Sequence, residues 1–112
     1  MYKFSTQKLL IVFLLGLFVV ACQEDPERHL KLGNWYLQKN LVDEAILEFR
    51  EVSRLYPPDL NRLSRSEIQV LSKSHFNLAL AYTKKGWWKF ALKEAQTSFD
   101  IQPEKNNHDL IE

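Results

Sequence analysis

The chain repeats itself. Sliding the sequence by 46 residues lays His29 on His75, Leu32 on Leu78, Gly33 on Ala79, Tyr36 on Tyr82 and Lys39 on Lys85. The same shift lays Asn40 on Gly86, Ala45 on Ala91, Glu48 on Glu94 and Pro57 on Pro103. An internal repeat of this length constrains the fold more than composition does, because each copy is one supersecondary unit that must bury its apolar face against a neighbour. The matched positions fall at helical spacing, then at a turn, then on a second helical run. Each copy therefore reads as helix–turn–helix, and the expected fold class is all-α.

The helix ends agree with that reading. Asp25-Pro26 is an N-cap followed by proline in the first turn, so a first helix starts near residue 26. It ends near Lys39-Asn40, since Asn tolerates the left-handed conformation. Asp43 and Glu44 suit the positive end of a second helix, which Pro57-Pro58 closes. Ser64-x-x-Glu67 is a capping box, so a third helix runs from about Arg65 to Lys85. Its core stripe is Ile68, Leu71, His75, Leu78, Ala79 and Tyr82. Gly86 ends it, Trp87 to Ile101 forms a fourth helix, and Pro103 stops that one. Gly33 and Ala79 are small residues in mid-helix, where a neighbouring helix must approach closely; Ala45 and Ala91 are the small contacts facing them.

The Leu32-Gly33-x-x-Tyr36 string, followed by Ala45, Phe49 and Pro57, resembles the tetratricopeptide repeat (TPR), a helix–turn–helix unit of 34 residues. Leu78-Ala79-x-x-Tyr82, Gly86, Ala91 and Pro103 resemble it again. The copies depart from the family pattern in three ways. His29 and His75 stand where it has an early Trp, Ala95 replaces Phe49 in the second copy, and about twelve extra residues lie near Leu60 to Leu71. On this resemblance residues 26–59 and 72–105 are two repeats, 60–71 is an insertion extending the third helix, and 106–112 is a tail or partial cap. The resemblance also implies a groove along the first helix of each repeat. Its lining would be Leu30, Asn34, Leu37 and Gln38, then Lys73, Phe76, Leu80, Thr83 and Lys84, with Phe76 and Leu80 as floor for a peptide or helix. The carboxylate clamp of chaperone-binding TPR domains is not matched, because Leu30 and Leu80 stand where it uses Lys and Asn.

Residues 1–21 read as an address. Lys3 and Lys8 precede the apolar run Leu9 to Val20, and the chain turns polar at Gln23. This is the order of a secretory signal peptide, here a signal helix ahead of the repeats. Val19-Val20-Ala21-Cys22 resembles the lipobox of bacterial lipoproteins. The resemblance implies cleavage before Cys22 and its lipidation; ordinary cleavage after Ala21 is the alternative. Two or more acyl chains give a stable anchor at about 0.8 kcal/mol per buried CH₂. Residues 22–25 would then be the lipidated Cys and a short tether reaching about 10 Å. Gln23, rather than the Asp that holds enterobacterial lipoproteins in the inner membrane, favours the outer membrane, on its periplasmic face.

Several function classes lack their residues. A formal charge of +1 gives no reason to expect nucleic acid. Cys22 is the only cysteine, so disulfide frameworks and multi-cysteine metal sites are excluded. Three glycines leave no phosphate loop. His29, His75 and His108 have no metal-ligand spacing, and His29 and His75 read as core-edge packing residues. Asp43-Glu44 and Glu48-Glu51 read as solvated helix-face acids. No catalytic constellation, metal site or cofactor is expected. Trp35, Trp87 and Trp88 fall outside the core pattern, either as local packing across the hairpin turns or as an interface with a partner or membrane. The expected function is a membrane-anchored interaction or scaffolding module of the bacterial cell envelope, binding an envelope protein or peptide. The alternatives are an accessory subunit of an outer-membrane assembly or pilus-biogenesis machine, and a structural homo-oligomer.

Overall fold

A computed structural model describes residues 24–102. Four helices follow one another: α1 (Pro26–Gln38), α2 (Val42–Leu55), α3 (Arg65–Lys84) and α4 (Trp88–Ile101), with a short 3₁₀ turn at Leu60–Arg62 between α2 and α3. The expected signal helix, Cys22, Pro103, His108 and the tail 106–112 lie outside the described residues.

α1 pairs with α2 and α3 with α4 as antiparallel hairpins, and the two hairpins stack chiefly through α2 and α3. The two hairpin turns are built alike. Asn40 (φ 62°) and Gly86 (φ 76°) both take the left-handed conformation just past the end of the first helix of their pair. In the first turn Leu41 N–H donates to Tyr36 O at 2.8 Å and Asn40 N–H to Leu37 O at 3.1 Å. In the second, Trp87 N–H donates to Tyr82 O at 2.9 Å and Gly86 N–H to Thr83 O at 3.0 Å. These are the paired bonds of a Schellman ending, which satisfy the last carbonyls of the helix. The next residues, Leu41 and Trp87, enter the second helix with nearly equal angles, φ −89°, ψ 73° and φ −90°, ψ 72°.

Helix starts follow local chemistry. Asp25 accepts from Glu27 N–H at 3.1 Å, and Pro26 opens α1 where no amide donor is needed. Ser64 Oγ accepts from Glu67 N–H at 3.2 Å while Glu67 Oε1 accepts from Ser64 N–H at 2.9 Å, a complete capping box. α3 thus begins at Arg65, and the inserted residues add about two turns to its front.

Leu30, Ile46, Phe49, Val52, Leu71, Leu78, Ala81 and Tyr82 meet in one core between the hairpins, closed by Ala45 and Ala91. Ile68, expected in this stripe, is only half-buried; on the same front extension it is Val70 that packs against the core. Ser72, Ser74 and Ser98 are buried instead. Ser74 Oγ donates to Phe49 O at 2.8 Å, tying α3 to α2. Ser98 Oγ donates to Ser72 O at 2.8 Å, tying α4 to α3. A hydroxyl bonded to a neighbouring helix's carbonyl is both small and satisfied, so it permits close helix approach.

Candidate functional site

α1 and α3 lie side by side, and a groove of about 600 Å³ runs between them. Asn34, Leu37 and Gln38 line it from α1; Asn77, Leu80, Thr83 and Lys84 line it from α3. Six of these residues were expected from the sequence; Asn77 was not. Its Nδ2 donates to Asn34 Oδ1 at 2.6 Å, bridging the two walls. The signal was faint: an Asn on α3 has no offset partner in α1, where Lys31 stands. The pair leaves an amide hydrogen and a carbonyl edge in the groove that can bond an extended backbone, with Leu37 and Leu80 as apolar surface and Lys84 at the rim.

Three expected groove residues are placed elsewhere. Leu30 is 6% exposed and belongs to the core, and what remains of its surface lines the same notch as Lys73. Lys73 lines a neighbouring notch of about 510 Å³ with Pro26, Tyr56 and Val70 at the front of α1 and α3. Phe76 is 53% exposed and lines neither hollow, since it projects from the face of α3 turned away from the first hairpin.

Both histidines accompany a glutamate. His29 Nδ1 lies 2.5 Å from Glu48 Oε2, and His75 Nδ1 lies 2.6 Å from Glu94 Oε2. Glu48 is therefore not a solvated face acid; the hairpin brings it, half-buried, against the imidazole nineteen residues earlier. The same geometry recurs in both copies, joining the first helix of each hairpin to its second. Glu24, His29 and Glu51 offer ligand atoms within 4.8 Å of one another. Arg54 already answers this charge, donating to Glu51 Oε2 at 2.7 Å and Glu24 Oε2 at 2.9 Å. Its hydrogen bonds hold the Glu51 carboxyl below the usual carboxylate range.

The three tryptophans are exposed at the hairpin turns. Trp35 packs edge-on against Tyr36 at 5.4 Å, and Trp87 lies 5.8 Å from Tyr82. Trp87 thus makes the apolar contact that accompanies a Schellman ending. Trp88 is 66% exposed.

No protein-family model, no curated protein and no solved structure matches this chain. No helix among the described residues is long and apolar enough to cross a membrane.

Proposed function

We propose that the chain is a lipid-anchored, TPR-like interaction module of the bacterial envelope, holding an extended or helical segment of a partner protein between α1 and α3. The groove at Asn34 and Asn77 carries this reading: it is open, lined by apolar and amide groups, and bounded by two parallel helices. Turn geometry, the Gly33, Tyr36 and Ala45 positions and their offset partners support the repeat assignment. Its mechanism is surface complementarity, not bond chemistry. The Cys22 anchor rests on the Val19-Val20-Ala21-Cys22 string. Crosslinking and pull-down from detergent-solubilised membranes tests the groove. Photoreactive residues at Leu37 or Leu80 should capture an envelope protein, and Asn34→Ala with Asn77→Ala should lose it while keeping full helix content. Capture unchanged by the double variant would remove the groove from the proposal. Cys22→Ala should release the chain from membranes, and a wild-type mass without acyl groups contradicts the anchor.

A second reading, self-association, is favoured by one comparison. In the first hairpin Leu30 and Ile46 are each 6% exposed and belong to the core. Their offset partners in the second hairpin, Phe76 and Leu92, are 53% and 70% exposed. The second hairpin thus presents the stacking face of the first with nothing from the described residues upon it. Light scattering across a concentration series tests pairing through this face: association should be abolished by Leu92→Lys, and a strict monomer rejects it.

A further inference from the structure

The two hairpin turns share a backbone and differ in side chains. Residues 41–44 read Leu-Val-Asp-Glu; their partners at 87–90 read Trp-Trp-Lys-Phe. Leu becomes Trp, Val becomes Trp, one acid becomes Lys and the other becomes Phe. The matching dihedral angles and Schellman bonds show that the turn itself does not demand these changes. Packing does not demand Trp88. Val42 packs against the core, whereas Trp88 stands out in solvent at 66% exposure; Phe90, 60% exposed, lays one side of its ring against Tyr82 and Trp87 at 5.7 and 6.4 Å. Helix electrostatics oppose the changes, since the first turn of α2 holds Asp43 and Glu44 at its positive end and the first turn of α4 holds no acid.

Lysines outnumber acids around the tip. Lys84, Lys85 and Lys89 ring the second turn, with Lys85 over the Trp87 ring at 5.4 Å. Asp43, from the adjacent turn, is bonded to Lys85 at 3.0 Å, which leaves Glu44 as the nearby acid without that partner. Protein interfaces favour Trp with Arg and are depleted in Lys, while membrane-water interfaces gather Trp with Lys, the ring at headgroup depth and the ammonium on lipid phosphate. The tip has three lysines and no arginine.

We propose that the tip of the second hairpin, Trp87, Trp88 and Phe90 within Lys84, Lys85 and Lys89, inserts into the headgroup layer of an anionic phospholipid membrane. The tip lies a helix length, about 20 Å, from the residue-25 end of α1. Contact there is separate from any anchor at Cys22, and a chain held at both places lies with its helices along the surface.

The test uses the full chain with Trp35→Phe, so that emission comes from Trp87 and Trp88. The chain is incorporated into vesicles of phosphatidylcholine alone or mixed with phosphatidylglycerol, each also prepared with lipid brominated near the headgroup. Vesicle-bound chain is separated by flotation before emission is read, so the readout is ring depth and not attachment. In the mixed vesicles bromine should remove roughly half of the emission and shift the rest to the blue. Quenching should be much weaker in phosphatidylcholine alone and in Lys84→Glu with Lys89→Glu. Trp88→Ser, at a side chain 66% exposed, keeps the helix content and should raise the remaining Trp87 toward solvent and weaken its quenching. Unquenched emission from vesicle-bound chain overturns the proposal, and so does equal quenching in the two lipids. A blue shift that grows with chain concentration without lipid overturns it in favour of protein contact.

Discussion

Gly33 lies beneath the ring of Phe49: a Cβ placed on Gly33 would stand 2.5 Å from Phe49 Cε1. The second copy resolves the same crossing differently, with Ala79 facing the Ala95 position in place of glycine and phenylalanine. Gly33→Ala should therefore destabilise the chain by about 1–3 kcal/mol despite alanine's better helix propensity, because the buried ring has nowhere to move. Phe49→Ala should cost about 3–5 kcal/mol. In the Phe49→Ala background, Gly33→Ala should become neutral or gain up to about 1 kcal/mol. A double-mutant cycle by urea denaturation measures this coupling, and simple additivity would refute the steric account.

Gly86 offers a purely conformational counterpart. Its φ is +76°, and a Cβ there would meet no atom within 4 Å. Gly86→Ala should cost about 1 kcal/mol from the left-handed backbone alone. Asn40→Gly, at the equivalent turn, should be nearly neutral. Thermal unfolding of both variants checks the pair; a loss at Asn40→Gly as large as at Gly86→Ala would mean that the turns are not equivalent.

The capping box makes a prediction about acid. Bonds from the Ser64 N–H and hydroxyl hold the Glu67 carboxyl below its ordinary value of 4.5. A depressed folded-state value stabilises the fold above pH 4.5, and that contribution is lost as pH falls through the folded value. Glu67→Gln can keep the hydrogen bond without the charge, so its deficit relative to wild type should be present at neutral pH and vanish in acid. Stability curves of the two proteins between neutral pH and pH 3 test this. Ser64→Ala should cost about 1 kcal/mol at neutral pH and less in acid, since it also removes the hydroxyl that helps hold Glu67 charged.

The twin His–Glu pairs should behave as structural equivalents. Glu48→Ala and Glu94→Ala should each lower stability by about 1–2 kcal/mol, since each leaves a half-buried imidazole nitrogen without its partner. Denaturant titration should return similar losses. A large change in partner capture from Glu94→Ala with no stability loss would instead make that pair part of a binding surface.

How far the sequence carried can be read from particular residues. The ends of all four helices were legible to within a residue or two, because caps, prolines and left-handed positions are local: Asp25, Asn40, Ser64 and Gly86 act on backbone groups a few positions away. Asn34, Leu37, Gln38, Leu80, Thr83 and Lys84 were legible as one groove only through the resemblance to the TPR, which implies the positions of the first helices that line it. Asn77, the fate of Leu30, and the orientation of Phe76 were not. Each depends on how one helix crosses another, which no local pattern encodes.

By itself the amino-acid order determined that the chain is helical, where each helix begins and stops, and that two like hairpins follow one another, because hydrogen-bond capping and apolar period act over a few residues. Only the tertiary structure decided which equivalent positions receive equivalent cover. Leu30 is buried and Phe76 is not, because the first hairpin has a helix stacked on it and, among the described residues, the second has none. Glu48 likewise moves from a surface acid to a partner of His29 only once the hairpin closes. Burial is a property of what stands opposite a residue, and that neighbour is set by the assembly of helices.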